Sequence, residues 1–219
     1  MPGGELLLLL ADGRFPGGGH AHSGGLEAAV ADGSVHDESS LRAFLHGRLL
    51  TSGPTEAWFA AEACRLARAG AGGVQLAALT ALVALYEARI PSAAQRAAAR
   101  ALGRGLRRVA RGMWPDAPRI EVEPYPIVLG IAAHSAGLDP VDAACIAVHN
   151  LLTGPATAAP KLYAIDMVDA MRAAASLCVA ADAAVGSSSC ALPPRPRSAP
   201  LTELRAEAHA AWDVRLFAS

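Results

Sequence analysis

Lysine is almost absent from this chain: Lys161 stands alone among 19 basic residues, the rest being arginine. Acidic residues number 20, so the formal net charge is −1, and bulk electrostatics gives no reason to expect a nucleic-acid partner. Cysteine is sparse. Cys64, Cys145, Cys178 and Cys190 form no CxxC pair, so neither a disulfide framework nor a zinc site follows from their spacing. Long apolar runs are missing too. Leu6–Leu10 is too short for a signal-peptide core, lacks a basic flank and runs into Asp12-Gly13-Arg14. The stretch from Val74 to Tyr86 falls short of a membrane span and is bounded by Glu87 and Arg89. The reading is a soluble, cytoplasmic chain with no membrane partner. Period-two alternation, the mark of a half-buried strand, occurs only at Ile120-Glu121-Val122-Glu123.

Alanine and helical periodicity are abundant. Hydrophobic residues make up 53% of the 219 and charged ones 18%, enough for a packed core. Alanine has the highest helix propensity, and its small side chain lets helices approach closely. Gly/Pro punctuation predicts helices over Glu5–Ala11, from Leu26 to Gly33, after an Asp37 N-cap, from Thr55 to Ala69, up to Ile90, and from Ser92 to Trp114. A further helix ends at Gly137. Asp139-Pro140 starts another, which Gly154-Pro155 is expected to break. Two more cover Ala156 to Val185, and the last runs from Leu201 nearly to the C-terminus. The expected architecture is an all-α, single-domain bundle (1–219) of about ten helices with no β-sheet. Residues 1–25 form a flexible N-terminal segment, 186–200 a surface loop, and 201–219 a C-terminal helix and tail. Pro193-Pro194-Arg195-Pro196 reads as part of that loop rather than a polyproline ligand.

Enzyme signatures are missing: there is no GxSxG, no HExxH and no glycine-rich strand–helix loop. Gly154–Lys161 superficially resembles a phosphate loop, but it lacks a second glycine and Pro160 precedes the lysine, so GTP binding by this chain alone is excluded. Three other features stand out. Phe15–Glu27 carries five glycines within nine positions (17–25), implying positive φ or close backbone approach. It reads as a helix-to-helix turn capped by Ser23, as a partner-docking loop, or as a weak metal foothold at His20 and His22; two imidazoles suit nickel but are too few for a stable site. On the helix from Ser92, Arg96, Arg100, Arg104, Arg107 and Arg111 fall within an arc of about 80°, opposite Leu102, Leu106, Val109 and Met113. No acid on that helix balances them, and Gly103 and Gly105 suggest another backbone packed close by. The stripe is either a solvated face or a surface for an acidic partner. Finally, Arg215 projects onto the apolar side of the last helix, and Leu216 and Phe217 follow it. This end either docks on its own core or anchors an interface.

In order, Asp12-Gly13-Arg14-Phe15-Pro16-Gly17-Gly18, His22-Ser23-Gly24-Gly25-Leu26-Glu27, Arg96 with Gly103-Arg104-Gly105-Leu106, Trp114-Pro115, Leu129-Gly130, Ala136-Gly137-Leu138 and the terminal Arg215-Leu216-Phe217-Ala218-Ser219 resemble the urease accessory protein UreF family along essentially the whole chain. The resemblance implies an all-helical, non-catalytic protein that dimerises and bridges the accessory protein UreD (UreH) and the GTPase UreG, the assembly acting on apo-urease. It implies no resident cofactor, nickel being cargo of the complex. Carried over, His22, Ser23, Gly24, Gly25, Leu26, Glu27, Arg215, Leu216 and Phe217 become UreD/UreH contacts. The arginine stripe is assigned to UreG on charge alone. The competing readings are a nickel carrier using His20, His22 and Glu27, and a helical ligand-binding regulator with an apolar pocket and few polar anchors.

Overall fold

The α-helix dominates the computed structural model, which describes residues 4–70, 73–115, 121–197 and 199–218. In order these helices are α1 (Gly4–Ala11), α2 (Leu26–Ala31), α3 (Glu38–Thr51), α4 (Gly53–Arg68), α5 (Gly73–Ala88), α6 (Ala93–Met113), α7 (Tyr125–Ser135), α8 (Pro140–Leu162), α9 (Met167–Ala175), α10 (Cys178–Gly186) and α11 (Pro200–Ala210). Two 3₁₀ turns, Gly19–Ala21 and Ser187–Ser189, complete the regular structure, and no strand occurs among the described residues. The all-α expectation holds. The alternating stretch at Ile120–Glu123 forms no strand at 121–123, and Ile120 lies outside the described residues.

Local chemistry sets the helix starts. Asp37 caps α3 by accepting from Ser40 N at 2.7 Å, and the Ser40 hydroxyl accepts from Asp37 N at 3.0 Å, a reciprocal box. Ser92 caps α6 by accepting from Gln95 N at 3.1 Å, and Asp139 with Pro140 opens α8.

α4 is the central post, packed against both α7 and α8. Trp58, Phe59, Ala60, Ala61, Ala63 and Cys64 are all buried on it, and the Phe59 ring meets Trp58 and Tyr86 edge-on at 5.1 and 5.2 Å. Small side chains allow this density: a Cβ on Gly130 of α7 would stand 2.2 Å from Ala60 O. One side of the core joins α1, α5, α6 and α7 to the post, and the other joins α2, α3, α8, α9 and α10.

Two expectations are corrected. α8 does not break at Gly154-Pro155 but runs through it, and through Pro160, to Leu162. An interior proline costs about 3 kcal/mol; here Leu151, Leu152, Ala156, Ala158 and Ala159 are buried on either side of Pro155, and that burial outweighs the lost hydrogen bond. The last helix ends at Ala210, so Arg215 lies beyond it on the tail and is exposed. Residues 4–25 include α1 and bury Leu10, Ala11, Phe15 and Ser23. The loop at 186–200 is fastened by Trp58 Nε1 donating to Cys190 O at 2.9 Å and by Arg197 donating to Leu50 O at 2.8 Å.

The two glycines of α6 are explained by contacts within the chain. A Cβ at Gly103 would stand 1.6 Å from Glu123 O, and one at Gly105 would stand 2.4 Å from Gly17 O. Gly103→Ala and Gly105→Ala should each lower the melting temperature, because overpacking costs about 1–3 kcal/mol against ~1 kcal/mol regained in helix propensity. Gly112→Ala, on the same helix with nothing within 4 Å, should raise it. Thermal denaturation of the three variants checks this, and a rise for all three contradicts the packing account.

Candidate partner-binding site

The segment after the glycine-rich turn folds back over α3 and α8. Gly24 and Gly25 take φ of +63° and +88°, a region that L side chains rarely adopt. The Gly24 carbonyl accepts from Arg48 Nη1, and Pro155 sits beside the glycine. Ser23 is buried and its hydroxyl accepts from Glu27 N at 3.2 Å, fixing the first turn of α2. Leu26 points into the core, whereas the Glu27 side chain reaches away from α2 toward the other end of the chain.

Three N–H groups meet the Glu27 carboxylate. Leu216 N donates to Oε1 at 2.8 Å, Phe217 N to Oε2 at 3.0 Å, and His209 Nε2 to Oε2 at 2.8 Å. Burial pushes this carboxyl up, but the three donors outweigh it and hold it below the ordinary glutamate value. Ala218 N adds a bond to Ala21 O at 2.7 Å. The Phe217 ring is buried, 6% exposed, with Lys161 Nζ 5.8 Å from its centroid. α11 is pinned on both flanks: Arg205 Nε donates to Asp32 at 2.6 Å, and Glu207 accepts from the Ser92 hydroxyl at 2.6 Å. At this clasp, Leu216 is 62% exposed and Val214 87%.

The two ends so joined are two of the blocks on which the sequence resembles a known family, and the stretch between them is matched independently. The UreF family model matches residues 35–178. Among relatives, a protein of Mycolicibacterium vanbaalenii named urease accessory protein UreF is 45% identical over 166 residues, covering 74% of this chain and 75% of that protein. Others of the same name from Mycobacterium sp. (strain JLS) and Mycobacterium marinum are each 38% identical, covering 97% and 98% of both chains respectively. This chain belongs to the UreF family.

Of the UreF-type contact residues expected from sequence, the fold brings the 22–27 block and the 215–217 block together, then divides them. Ser23, Leu26 and Phe217 are buried, while Arg215 and Leu216 face outward. His20 is exposed; burial and the nearby His20 charge push the His22 imidazole below its ordinary value. Among the described residues no group of three or more His, Cys, Asp or Glu is placed to hold a metal ion, and no helix is long and apolar enough to cross a membrane. The arginine stripe finds its acids within the chain. Arg100 pairs with Glu87 at 2.5 Å, Arg104 with Glu123 at 3.3 Å, and Arg107 and Arg111 with Glu121 at 2.6 Å each, while Arg96 donates to the Ile90 and Pro91 carbonyls. Sequence reasoning missed His209, Arg205, Glu207 and Lys161; only Lys161, as the lone lysine, carried a signal.

The clasp depends on an ionised Glu27. Its folded-state pKa lies below the ordinary 4.5, so its stabilisation is present above that value and is lost as pH falls through the depressed one. Glu27→Ala removes hydrogen bonds to a charged acceptor worth about 1.5–3 kcal/mol each. Amide exchange at Leu216 and Phe217 should therefore accelerate at least about tenfold at neutral pH, while the buried amides of α4 keep their protection. Unchanged exchange in the tail would show that Glu27 does not hold it.

Proposed function

We propose that this chain is a non-catalytic scaffold that matures the nickel metallocentre of urease, bridging UreD/UreH and the GTPase UreG on apo-urease. Nickel is cargo of that assembly rather than a resident ion of this chain, and the working unit in the cytoplasm is a homodimer. The observation that carries the reading is the clasp. It presents Arg215 and Leu216 outward from an anchored Phe217, next to exposed Val214 in the chain, so a short tip with apolar and basic side chains is held on a fixed support. A partner meeting such a pre-ordered tip has little tail entropy left to overcome. The UreD/UreH contact is therefore assigned to Arg215 and Leu216, with the 22–27 block and Phe217 as the support behind them.

UreG is assigned to the arginine stripe in an exchange form. Arg104 and Arg111 pair with Glu123 and Glu121 at the surface, where such pairs are worth ~0–1 kcal/mol. An acidic partner can replace those glutamates at little cost.

Co-expression pull-down tests both assignments. Leu216→Asp, and a chain ending at Val214, should retain UreD/UreH at least about tenfold less than the parent, as expected for an interface anchor, while keeping the parent's helical circular dichroism. Arg104→Glu with Arg111→Glu should spare UreD/UreH and weaken UreG retention, and more so at low salt. Full retention of UreD/UreH by both tail variants would overturn the scaffold assignment.

A further inference from the structure

Beneath the N-terminal segment, α11 and the tail lies a cavity of about 940 Å³, walled largely by alanine and leucine side chains of α6 and α8. Five polar side chains from five helices converge on its floor: Arg48 (α3), Glu56 (α4), Tyr86 (α5), Tyr125 (α7) and Asn150 (α8). The Tyr86 hydroxyl donates to Glu56 Oε1 at 2.9 Å, and Asn150 Nδ2 donates to the Tyr125 hydroxyl at 2.8 Å. That bond uses Tyr125 as acceptor and leaves its own proton to give.

Arg48 is the unusual member. Its Nη1 donates to Gly24 O and its guanidinium lies 5.9 Å from the Phe44 ring centroid, but Nε is shielded from solvent and has no hydrogen-bond partner. The opposite charge that acts on it is Glu56, through space. A buried N–H donor without an acceptor is costly, and so shielded an atom meets no ligand itself; the rest of the guanidinium, on a half-buried residue that lines the cavity, is the group placed to meet a ligand oxygen. The wider lining has the same sign. Of its charged groups Asp12 is paired with Arg14 and Arg205 with Asp32, which leaves Arg48, Lys161 and Arg215 against Glu56. Lys161 and Arg215 are exposed and sit at the rim, so the buried pair is Arg48 and Glu56, and the interior favours an anion when Glu56 is protonated.

We propose that the cavity floor binds a small carboxylate-class oxyanion, one oxygen accepting from the Arg48 guanidinium and another from the Tyr125 hydroxyl, beside the Glu56 carboxyl. The groups facing Glu56 are Arg48, Tyr86 and Tyr125, with Glu87 acting behind Tyr86. Burial pushes the Glu56 carboxyl up to about 7, against the hydrogen bond from Tyr86 and the charge of Arg48. Protonated, it is neutral and donates to the anion. Ionised, it repels it. The affinity therefore falls as pH rises through the neutral range.

The probe is sodium acetate, titrated into the full-length chain by calorimetry against sodium chloride at equal ionic strength. Expected is saturable, weak acetate binding that is at least about tenfold tighter near pH 6 than near pH 8.5. Arg48→Met should abolish it, and Tyr125→Phe should weaken it several-fold. Glu56→Gln, neutral at every pH and still a donor, should keep the binding and remove its pH dependence. Circular dichroism monitors the fold of each variant; if Arg48→Met fails to fold, Tyr125→Phe and Glu56→Gln decide. The proposal is overturned if acetate behaves as chloride does, if binding survives both the Arg48 and Tyr125 changes, or if Glu56→Gln retains the parent's pH profile.

Discussion

A carboxylate largely removed from water must be surrounded by donors, and at Glu27 those donors come from the far end of the chain. That requirement organises much of what lies around it. It bends the tail at Leu216 and Phe217, so that successive amides are presented to one acceptor. It also brings α11 close enough for His209 to join, and that proximity lets Arg205 and Glu207 reach α2 and the start of α6. Phe217 is buried as a consequence, and its neighbours Arg215 and Leu216 are turned outward. One anchored ring with presented residues on either side thus follows from one acidic side chain.

Much of the fold could be read in the sequence because local rules governed it. Asp37, Ser92 and Asp139-Pro140 each start a helix where capping chemistry places one, and alanine-rich periodicity gives all-α structure directly. The errors arose where tertiary packing overrode a local signal. Pro155 is a helix breaker in isolation, yet the apolar side chains around it hold α8 continuous. Arg215 projects onto the apolar face of α11 only if the helix continues, and it stops four residues after Ala206, at Ala210.

At the candidate site the same division holds. The two blocks at 22–27 and 215–217 were visible as unusual sequence, but their mutual contact was not, since nothing local relates residues 190 positions apart. The stripe on α6 was visible as a charge imbalance within one helix. Its resolution lay in Glu87, Glu121 and Glu123, which belong to other elements and become neighbours only when the fold brings the end of α5 and the segment before α7 to α6. Gly103 and Gly105 did announce a close-packed backbone. The backbones that fill the space belong to this same chain.

Those glycines lie two residues apart, about 200° around the helix, so α6 is gripped on nearly opposite sides by the carbonyls of Gly17 and Glu123. A helix held in this way behaves like a rod between two jaws. Rotation about its axis swings a side chain into one jaw or the other, whereas a small slide along the axis keeps the narrow waist between them. The N-terminal segment and the stretch before α7 are far apart in sequence but are set a fixed distance from each other by the thickness of one bare helix, a spacing that no side chain rearrangement can alter.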